Sequence, residues 1–304
     1  MKNTSFHDGE RHIQVLTGED RIANRNSRFI RETLVAGSER MLGMATSLNI
    51  SVSDVEANVW SFVAIGAPGL IRRLDDKTAF LDRKVMTAPD ALWPLLEPGA
   101  GIGLVAMDLT SARRFRINGK IGEVTGDGIS VHVSQTCPNC PKYIQQRLPV
   151  REHAYADVTF AQGTALDQAA TDLIKRSDTF FVASRSADGD HDASHRGGMP
   201  GFVTIEGNTL TVPDYFGNSM FMTLGNFCQN PAAGLTFVDF ESGAQLNLTG
   251  RVSIAFDDAT AHDGSGGRFW TFDVTNWRYV PFRPTPAWHL QAYSQFNPTA
   301  LSVK

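Results

Sequence analysis

The feature that most restricts the fold is an internal similarity between two stretches of the chain. Residues 103–121 (GLVAMDLTSARRFRINGKI) align without gaps with residues 234–252 (GLTFVDFESGAQLNLTGRV). The identical pairs are Gly103/Gly234, Leu104/Leu235, Asp108/Asp239, Ser111/Ser242 and Gly119/Gly250. A second pair of stretches, PGLIRRLDDKTAF at Pro68 and PGFVTIEGNTL at Pro200, keeps nearly the same spacing. Two ordered blocks at nearly one spacing predict that the chain contains two copies of one small unit.

Each copy has the pattern of short strands, turns and one helical stretch. Apolar runs are broken by the turn signals DDK and TSA in the first copy and EGN and ESG in the second, which is typical of antiparallel hairpins. Between the blocks lie APDALWPLLEPGAG in the first copy and SMFMTLGNFCQNPAAG in the second, both of helical character and both closed by Pro and Gly. About six to eight short strands with few long helices predict a mainly β fold with small barrels.

The segment before the first copy is predicted to be helical. Its apolar residues recur at roughly helical spacing between Ile22 and Met44, so we expect a helix or helix pair packed on the outside. A chain of 304 residues lies at the upper edge of one domain or contains two. We therefore divide it into an N-terminal helical extension (1–50), a first β unit (51–150) and a second β unit (151–304).

The composition is that of an ordinary soluble protein. The apolar fraction is 42%, the charged fraction 20% and the formal net charge −4, so no basic field is available to attract nucleic acid. The N-terminus lacks the apolar region of a secretory signal, and no window approaches a membrane span. Three cysteines fit a reducing compartment. We expect a cytoplasmic protein with neither nucleic acid nor membrane as a partner.

The two copies differ most around the stretch SHRGGMPGF, residues 194–202. From Ala64 to Pro68 the first copy needs four steps, whereas from Ala183 to Pro200 the second needs seventeen, which predicts thirteen extra residues in a longer hairpin around ADGD. Downstream, PDYFGNSMFMTLGN is also more polar than its counterpart APDALWPLLEPG. We therefore expect a ligand site in the second copy, closed by the first.

The polar residues of the second copy suit a phosphate monoester. Arg196 beside Gly197 and Gly198 offers a planar cation and exposed backbone N–H groups, and arginine and helix N-termini are good partners of phosphate. The neutral donors of the same set are Ser194, Asn218, Ser219 and Thr223. A surface turn with a solvated arginine is the alternative interpretation. Walker-type and Rossmann-type glycine motifs are absent, so a phosphate would be held on a β scaffold.

Two further motifs carry titratable or nucleophilic groups. In DGDHDASH, His191 and His195 lie in a predicted hairpin that defines no ligand geometry, so we predict no metal and interpret His195 as a hydrogen-bond donor to a ligand. In SQTCPNCPKYIQQR, residues 134–147, a CxxC precedes an apparent helix start; a structural turn is the default, with a redox pair the alternative. Lys142 and Tyr143 are expected to project from that helix toward a bound ligand.

Four stretches of the chain together resemble a known family. They are DTFFVASRSADGDHDASHRGGMPGFV, PDYFGNSMFMTLGN, NPAAGLTFVDFESGAQLNLTGR and NCPKYIQQR, and the family is the pyridoxamine 5′-phosphate oxidase-like proteins, which are FMN-binding split barrels. The likeness runs from about Asp54 to Val280 and is strongest to long bacterial members with tandem units; FHDGE near the start matches as well. It implies two tandem antiparallel split β-barrels with short helices and an N-terminal helical segment.

The resemblance also implies a cofactor and its ligands. In the family FMN binds at the interface of two units, usually across a homodimer, and here the tandem copies could supply that interface within one chain. The phosphate-binding roles fall by position on Arg196, Asn218, Ser219 and Thr223, with His195 and Asn226 nearby.

The expected function is that of an FMN-dependent oxidoreductase acting on a small-molecule substrate or electron donor. NSMF replaces the basic pair that pyridoxamine-phosphate oxidases carry at the helix start, and their C-terminal arginine motif is not evident, so the resemblance supports the cofactor more than the substrate. The flavin would supply the redox chemistry. The alternative is a non-catalytic protein that binds haem, a deazaflavin or a flavin, with His191 and His195 as the candidate haem ligands.

Overall fold

Residues 5–150, 155, 159–256, 264–283 and 286–298 are described by the computed structural model. Within them, antiparallel strands predominate and the helices are short. The strands form two large sheets that curl into half-barrels, which confirms the predicted fold class. No helix in the described part of the chain is long and apolar enough to cross a membrane.

The first sheet is built from the first half of the chain. Its strands are β1 (Ser47–Ser53), β2 (Val59–Gly66), β3 (Ile71–Arg73), β4 (Thr78–Asp82), β5 (Met86–Thr87), β6 (Gly101–Asp108), β7 (Arg113–Val124) and β8 (Gly128–Asn139). Their order across the sheet is β3-β4-β8-β7-β6-β1-β2-β5. β1 starts before the predicted division at residue 50, and that division stays a prediction.

The second sheet is built from the second half and repeats the same strand order. After β9 (Gln146–Val150), its strands are β10 (Ala161–Gly163), β11 (Thr179–Arg185), β12 (His191–Gly197), β13 (Thr204–Glu206), β14 (Thr209–Pro213), β15 (Ala232–Asp239), β16 (Ala244–Phe256) and β17 (Arg268–Pro281). They are ordered β12-β11-β15-β16-β17-β14-β13, with β10 on β17. The equivalent path in the first sheet is β2-β1-β6-β7-β8-β4-β3. β18 (Ala287–Ala292) pairs with β9 and so joins the two halves.

The helices lie at the ends of the sheets. They are α1 (Asp8–Leu16), α2 (Asp20–Asn26), α3 (Ser38–Met44), α4 (Gln168–Arg176) and α5 (Met222–Gln229), with single 3₁₀ turns at 27–29 and 83–85 and a longer one at 90–95. α1 packs on α5 through Gly9 and Gly225, where a Cβ on Gly9 would stand 2.2 Å from the Gly225 carbonyl oxygen. The N-terminal segment contains helices as predicted, and its first helix packs on α5 of the second half.

Each sheet encloses its own apolar core. Leu48 and Phe62 are fully buried in the first core, and Phe180, Phe237 and Trp270 in the second. Burying one such side chain contributes roughly 1.5–3 kcal/mol to the free energy of unfolding. Trp270, Phe272 and Trp277, three aromatic residues of the C-terminal segment, belong to the core of the second half-barrel.

The two sheets cross each other twice, in matching ways. β12 packs across β6, β1 and β7, and β2 packs across the equivalent strands β15, β11 and β16. A Cβ on Gly103 would stand 2.8 Å from the Asp192 Cα, and one on Gly234 would stand 2.7 Å from the Ser61 nitrogen. No side chain fits at either position, which explains why the aligned blocks share this glycine.

Two other identical pairs of the aligned blocks also occupy matching positions. Asp108 and Asp239 each accept N–H bonds from the tight turn that follows them. Gly119 and Gly250 each lie at a shift in strand register, between β7 and β8 and between β16 and β17. The identities therefore occur where the backbone geometry demands one residue type.

The predicted thirteen-residue insertion in the second copy is wrong. The hairpin loops span residues 54–58 and 186–190, and β2 and β12 occupy equivalent positions. The error came from matching Ala64, which lies in the second strand of its hairpin, with Ala183, which lies in the first strand of the other. β2 is apolar and β12 polar, so their sequences hide the equivalence. The copies differ here in residue type and not in loop length.

Candidate functional site

A polar cleft lies where β7 of the first sheet crosses β12 of the second. It has a volume of about 110 Å³. β12 contributes Ser194, His195, Arg196 and Gly197. The remaining predicted residues that line the cleft are Asn218, Ser219 and Thr223, at the start of α5, and Tyr143, in the loop before β9. The structure therefore brings together most of the residues predicted from the sequence, and both halves of the chain form the walls.

Two arginines of β7 that the sequence reasoning missed also line the cleft. Arg114 and Arg116 alternate along the strand and therefore point to the same face. Arg114 Nη1 donates to the His195 carbonyl oxygen and to its Nδ1, both at 3.1 Å. Burial lowers the pKa of Arg114 to about 10, so the guanidinium stays charged at neutral pH. Arg114 forms no ion pair with any carboxylate in the described residues.

The other two arginines of the cleft are neutralised by carboxylates. Arg116 Nε lies 3.0 Å from Asp192 Oδ1, and Arg196 Nη1 pairs with Asp214 at 2.5 Å. Burial raises the pKa of Asp192, while the neighbouring Arg116 opposes that change. Three arginines therefore face two carboxylates, and the charge of Arg114 is left over. Arg196, predicted to be the principal cation, already has a partner.

The start of α5 lines the same cleft. Phe221, the residue before the helix, supplies no side-chain cap. Ser219 and Phe221 have φ angles of 60° and 58°, a left-handed conformation that is uncommon outside glycine. Uncapped N–H groups at a helix start attract an anion. Thr223 in the first turn donates from its hydroxyl to Ser194 Oγ at 3.0 Å, so hydroxyl groups surround this end.

The N-terminal segment holds the strained loop before α5 in place. Gln14 Nε2 donates to the Met220 carbonyl oxygen at 3.0 Å, and Asn26 Nδ2 donates to the Asn218 carbonyl oxygen at 2.9 Å. The Ser219 hydroxyl donates to the Glu19 carboxylate. These contacts join residues about two hundred positions apart, which is why the sequence pattern did not reveal them.

Two predicted site residues lie outside the cleft. Asn226 faces a separate cavity on the far side of α5, where its Oδ1 accepts from His7 Nε2 at 3.0 Å and its Nδ2 donates to Ser184 at 2.9 Å. Lys142 lies with its Nζ 5.8 Å from the centre of the Phe296 ring. The helix predicted after the CxxC is wrong, because β8 continues to Asn139 and β9 begins at Gln146 with only a short turn between them.

The CxxC residues do not have the surroundings of a redox pair. Cys137 is buried in β8, and burial raises the pKa of its thiol to about 11. A reactive thiol needs the opposite shift, because the thiolate is the nucleophile. Cys137 and Cys140 are both free thiols. No group of three or more His, Cys, Asp or Glu side chains that could hold a metal occurs in the described parts of the chain.

The two histidines of β12, His191 and His195, are buried and neutral. Burial lowers the pKa of His191 to about 3, and its ring nitrogens lie 2.9 Å from Ser51 Oγ and 3.1 Å from Ser53 Oγ. Burial and the charge of Arg114 hold the pKa of His195 well below its usual range. Because His195 Nδ1 accepts from Arg114, its Nε2 carries the proton.

The fold and the cleft define a protein of two antiparallel half-barrels with a cationic cleft at their crossing. Residues 166–278, most of the second half-barrel and its α5, match the family model of pyridoxamine 5′-phosphate oxidase. The resemblance predicted from the sequence is thereby confirmed over those residues. A search of the curated proteins finds no match.

Three of the similar solved structures each align with about two fifths of the chain. HupZ of Group A Streptococcus has 18% identity and a TM-score of 0.29, and the match covers 36% of this chain and 89% of HupZ. HutZ, the haem storage protein of Vibrio cholerae, has 12% identity, a TM-score of 0.27 and coverages of 43% and 99%. A candidate pyridoxamine 5′-phosphate oxidase of Lactobacillus delbrueckii has 15% identity, a TM-score of 0.31 and coverages of 37% and 93%.

Proposed function

We propose that the protein binds FMN in the cleft between β7 and β12 and is an FMN-dependent oxidoreductase. The observation that supports this most is the surplus charge of Arg114 beside the uncapped start of α5. A guanidinium and a helix N-terminus both favour phosphate, and here they face the same cavity. The family match over residues 166–278 agrees with a flavin site on this half-barrel.

The residues fit the phosphate of FMN better than the whole cofactor. A cavity of about 110 Å³ has room for a phosphate, given that one water occupies about 30 Å³ in the liquid. Tyr143, Phe202 and Tyr215 also line the cavity, with the two tyrosine rings 5.3 Å apart. For the flavin ring to bind, these tyrosines must turn outward. Their faces would then be available to stack on it.

The chain would contribute binding, orientation and electrostatics to the chemistry. Bound FMN supplies hydride or electron transfer. Arg114 and the first turn of α5 would hold the phosphate, and the hydroxyls of Ser194 and Thr223 would donate to it. His195 can donate one hydrogen bond from Nε2 without adding a charge, because its pKa is low. The small-molecule substrate or electron donor and a homodimer are proposals that rest on the resemblance.

Haem is the weaker candidate for this chain. His191 would have to give up its bonds to Ser51 and Ser53 in order to ligate iron. His195 would have to ligate iron while Arg114 donates a hydrogen bond to its ring. A cation beside an axial histidine disfavours binding of a positively charged iron centre. The geometry therefore favours a phosphate-bearing cofactor over haem.

A titration of the purified protein with FMN, followed by quenching of flavin fluorescence, tests the proposal. We expect saturable binding by the wild type and about 10- to 100-fold weaker binding by Arg114→Gln, because a charge-assisted hydrogen bond contributes roughly 1.5–3 kcal/mol. Riboflavin, which lacks the phosphate, should bind weakly to both proteins. The matched control is Arg278→Gln, which removes an arginine that stacks on Trp60 outside the cleft.

Two results would contradict the proposal. One is wild-type protein that does not quench FMN fluorescence. The other is riboflavin binding as tightly as FMN, which would show that the phosphate is not recognised. If Arg114→Gln and Arg278→Gln weaken FMN binding equally, Arg114 does not bind the phosphate.

A further inference from the structure

A second and larger cavity lies between α3 and β7. Its volume is about 570 Å³, within the range of about 300–1,000 Å³ that is usual for small-molecule sites. Its floor is apolar and includes Phe29, Val35, Met41 and Met44. Three of these side chains are unusually exposed for their type, at 43% for Phe29, 45% for Val35 and 42% for Met44. An apolar surface of this kind commonly marks a binding site.

The rim of the cavity carries positive charge that the protein does not neutralise. Arg31, Arg40 and Arg113 line it together with Arg114. None of the four forms an ion pair with a described carboxylate. Asp108, the carboxylate in the lining, is engaged by the hydroxyls and N–H groups of the turn that follows it. An apolar floor under a cationic rim is complementary to a molecule with an apolar body and one carboxylate.

The cavity beside α4 in the second half-barrel is lined by arginines whose charge is neutralised. There α4 takes the position of α3, and the cavity beside it measures about 260 Å³. Its two arginines are paired: Arg176 with Asp239, and Arg147 with Asp178, both at 2.6 Å. The unpaired arginines of the first half-barrel are therefore not a requirement of the fold.

We propose that the cavity between α3 and β7 binds an apolar monocarboxylate, with its chain against Met41 and Met44 and its carboxylate at Arg40 and Arg113. Arg114 and Asn139 line both this cavity and the polar cleft, so the two ligands would be neighbours. The assignment rests on the first half-barrel alone and does not depend on FMN.

Isothermal titration calorimetry with decanoate, below the concentration at which it aggregates, tests the site. We expect saturable binding by the wild type and binding of decan-1-ol that is at least about 10-fold weaker, because a charge-assisted contact is lost. The double variant Arg40→Gln/Arg113→Gln should lose affinity by about 10-fold or more. Both residues are exposed, so the fold should survive. Arg251→Gln, which removes an exposed arginine of the second half-barrel, is the matched control.

A second variant tests the apolar floor. Val35→Asp places a carboxylate on an exposed position of the lining and should abolish decanoate binding by repulsion. The proposal is overturned if the wild type does not bind decanoate, if decan-1-ol binds equally well, or if the double variant and Arg251→Gln behave alike. FMN titration of the same variants separates the two sites, since Arg40→Gln/Arg113→Gln should still quench flavin fluorescence if FMN binding is correct.

Discussion

The two crossings between the sheets use the same hydrogen bonds but different donors. Where β7 meets β12, Arg114 donates to the His195 carbonyl oxygen. Where β16 meets β2, the residue aligned with Arg114 is Gln245, and it donates to the Val63 carbonyl oxygen. The backbone contact is therefore the same at both crossings, and a neutral amide is sufficient to make it.

Two residues further along the strands, Arg116 and Asn247 also make equivalent hydrogen bonds with different donors. Arg116 Nε donates to the Ala193 carbonyl oxygen, and the aligned Asn247 donates to that of Ser61. The fold requires a donor at these positions, but it does not require a charge. The second crossing shows this directly, because Gln245 and Asn247 are fully buried there and their amide nitrogens donate hydrogen bonds. The charge of Arg114, which no described carboxylate neutralises, is therefore not required by the fold.

The largest expected effect on stability comes from replacing Arg116 with asparagine, the residue found at the aligned position Asn247. Arg116→Asn leaves Asp192 buried without its cation, and breaking a buried ion pair costs about 3–5 kcal/mol of unfolding free energy. Chemical denaturation measures the loss, and the double variant Arg116→Asn/Asp192→Asn should recover most of it. Arg114→Gln removes no ion pair and keeps an amide donor like that of Gln245, so it should cost less than Arg116→Asn, about 1–2 kcal/mol for the hydrogen bonds that are lost. If Arg116→Asn and Arg114→Gln are equally stable, the ion pair of Arg116 with Asp192 does not distinguish the two arginines.

The next effect tests whether the two crossings are equivalent in packing. Gly103→Ala and Gly234→Ala should each lower the unfolding free energy by about 1–3 kcal/mol, because the added methyl group meets backbone of the facing strand. Denaturation of both variants gives the comparison. Gly37→Ala is the control, since a Cβ there has open space. A large effect at one glycine and none at the other would show that the crossings are packed differently.

The smallest effect concerns α1, the helix that packs on α5. Glu10 on α1 is buried against α5, and burial raises its pKa to about 8 from an ordinary 4.5. Between these values the folded protein keeps a proton on Glu10 that the unfolded chain releases, so the contribution of Glu10 to stability falls as pH rises. From pH 5.5 to 6.5 the expected loss is about 1 kcal/mol. His191 and His195, whose pKa values are lowered, change stability in the opposite direction in both proteins, so denaturation at both pH values should show the Glu10 loss as a difference between the wild type and Glu10→Gln. Parallel behaviour of the two proteins would contradict the assignment.

Much of the fold followed from local patterns, and one part of the alignment misled. The turn signals and alternating apolar residues predicted hairpins, and the shared Gly103/Gly234 pair lies at equivalent close contacts. The equivalence of β2 and β12 was missed because one strand faces a packed apolar crossing and the other a polar cleft. Sequence similarity fades where two equivalent strands have different neighbours.

The sequence by itself determined the repeated strand pattern, the polar character of residues 194–197 and the donors Asn218, Ser219 and Thr223 near a helix start. These are local properties, set by residue type and spacing along the chain. Only the tertiary structure decided that Arg114 would donate to His195 with no carboxylate paired to it, and that Arg196 would form an ion pair with Asp214. Whether an arginine is available to a ligand depends on which groups the other half of the chain places beside it, and spacing within one strand does not carry that information.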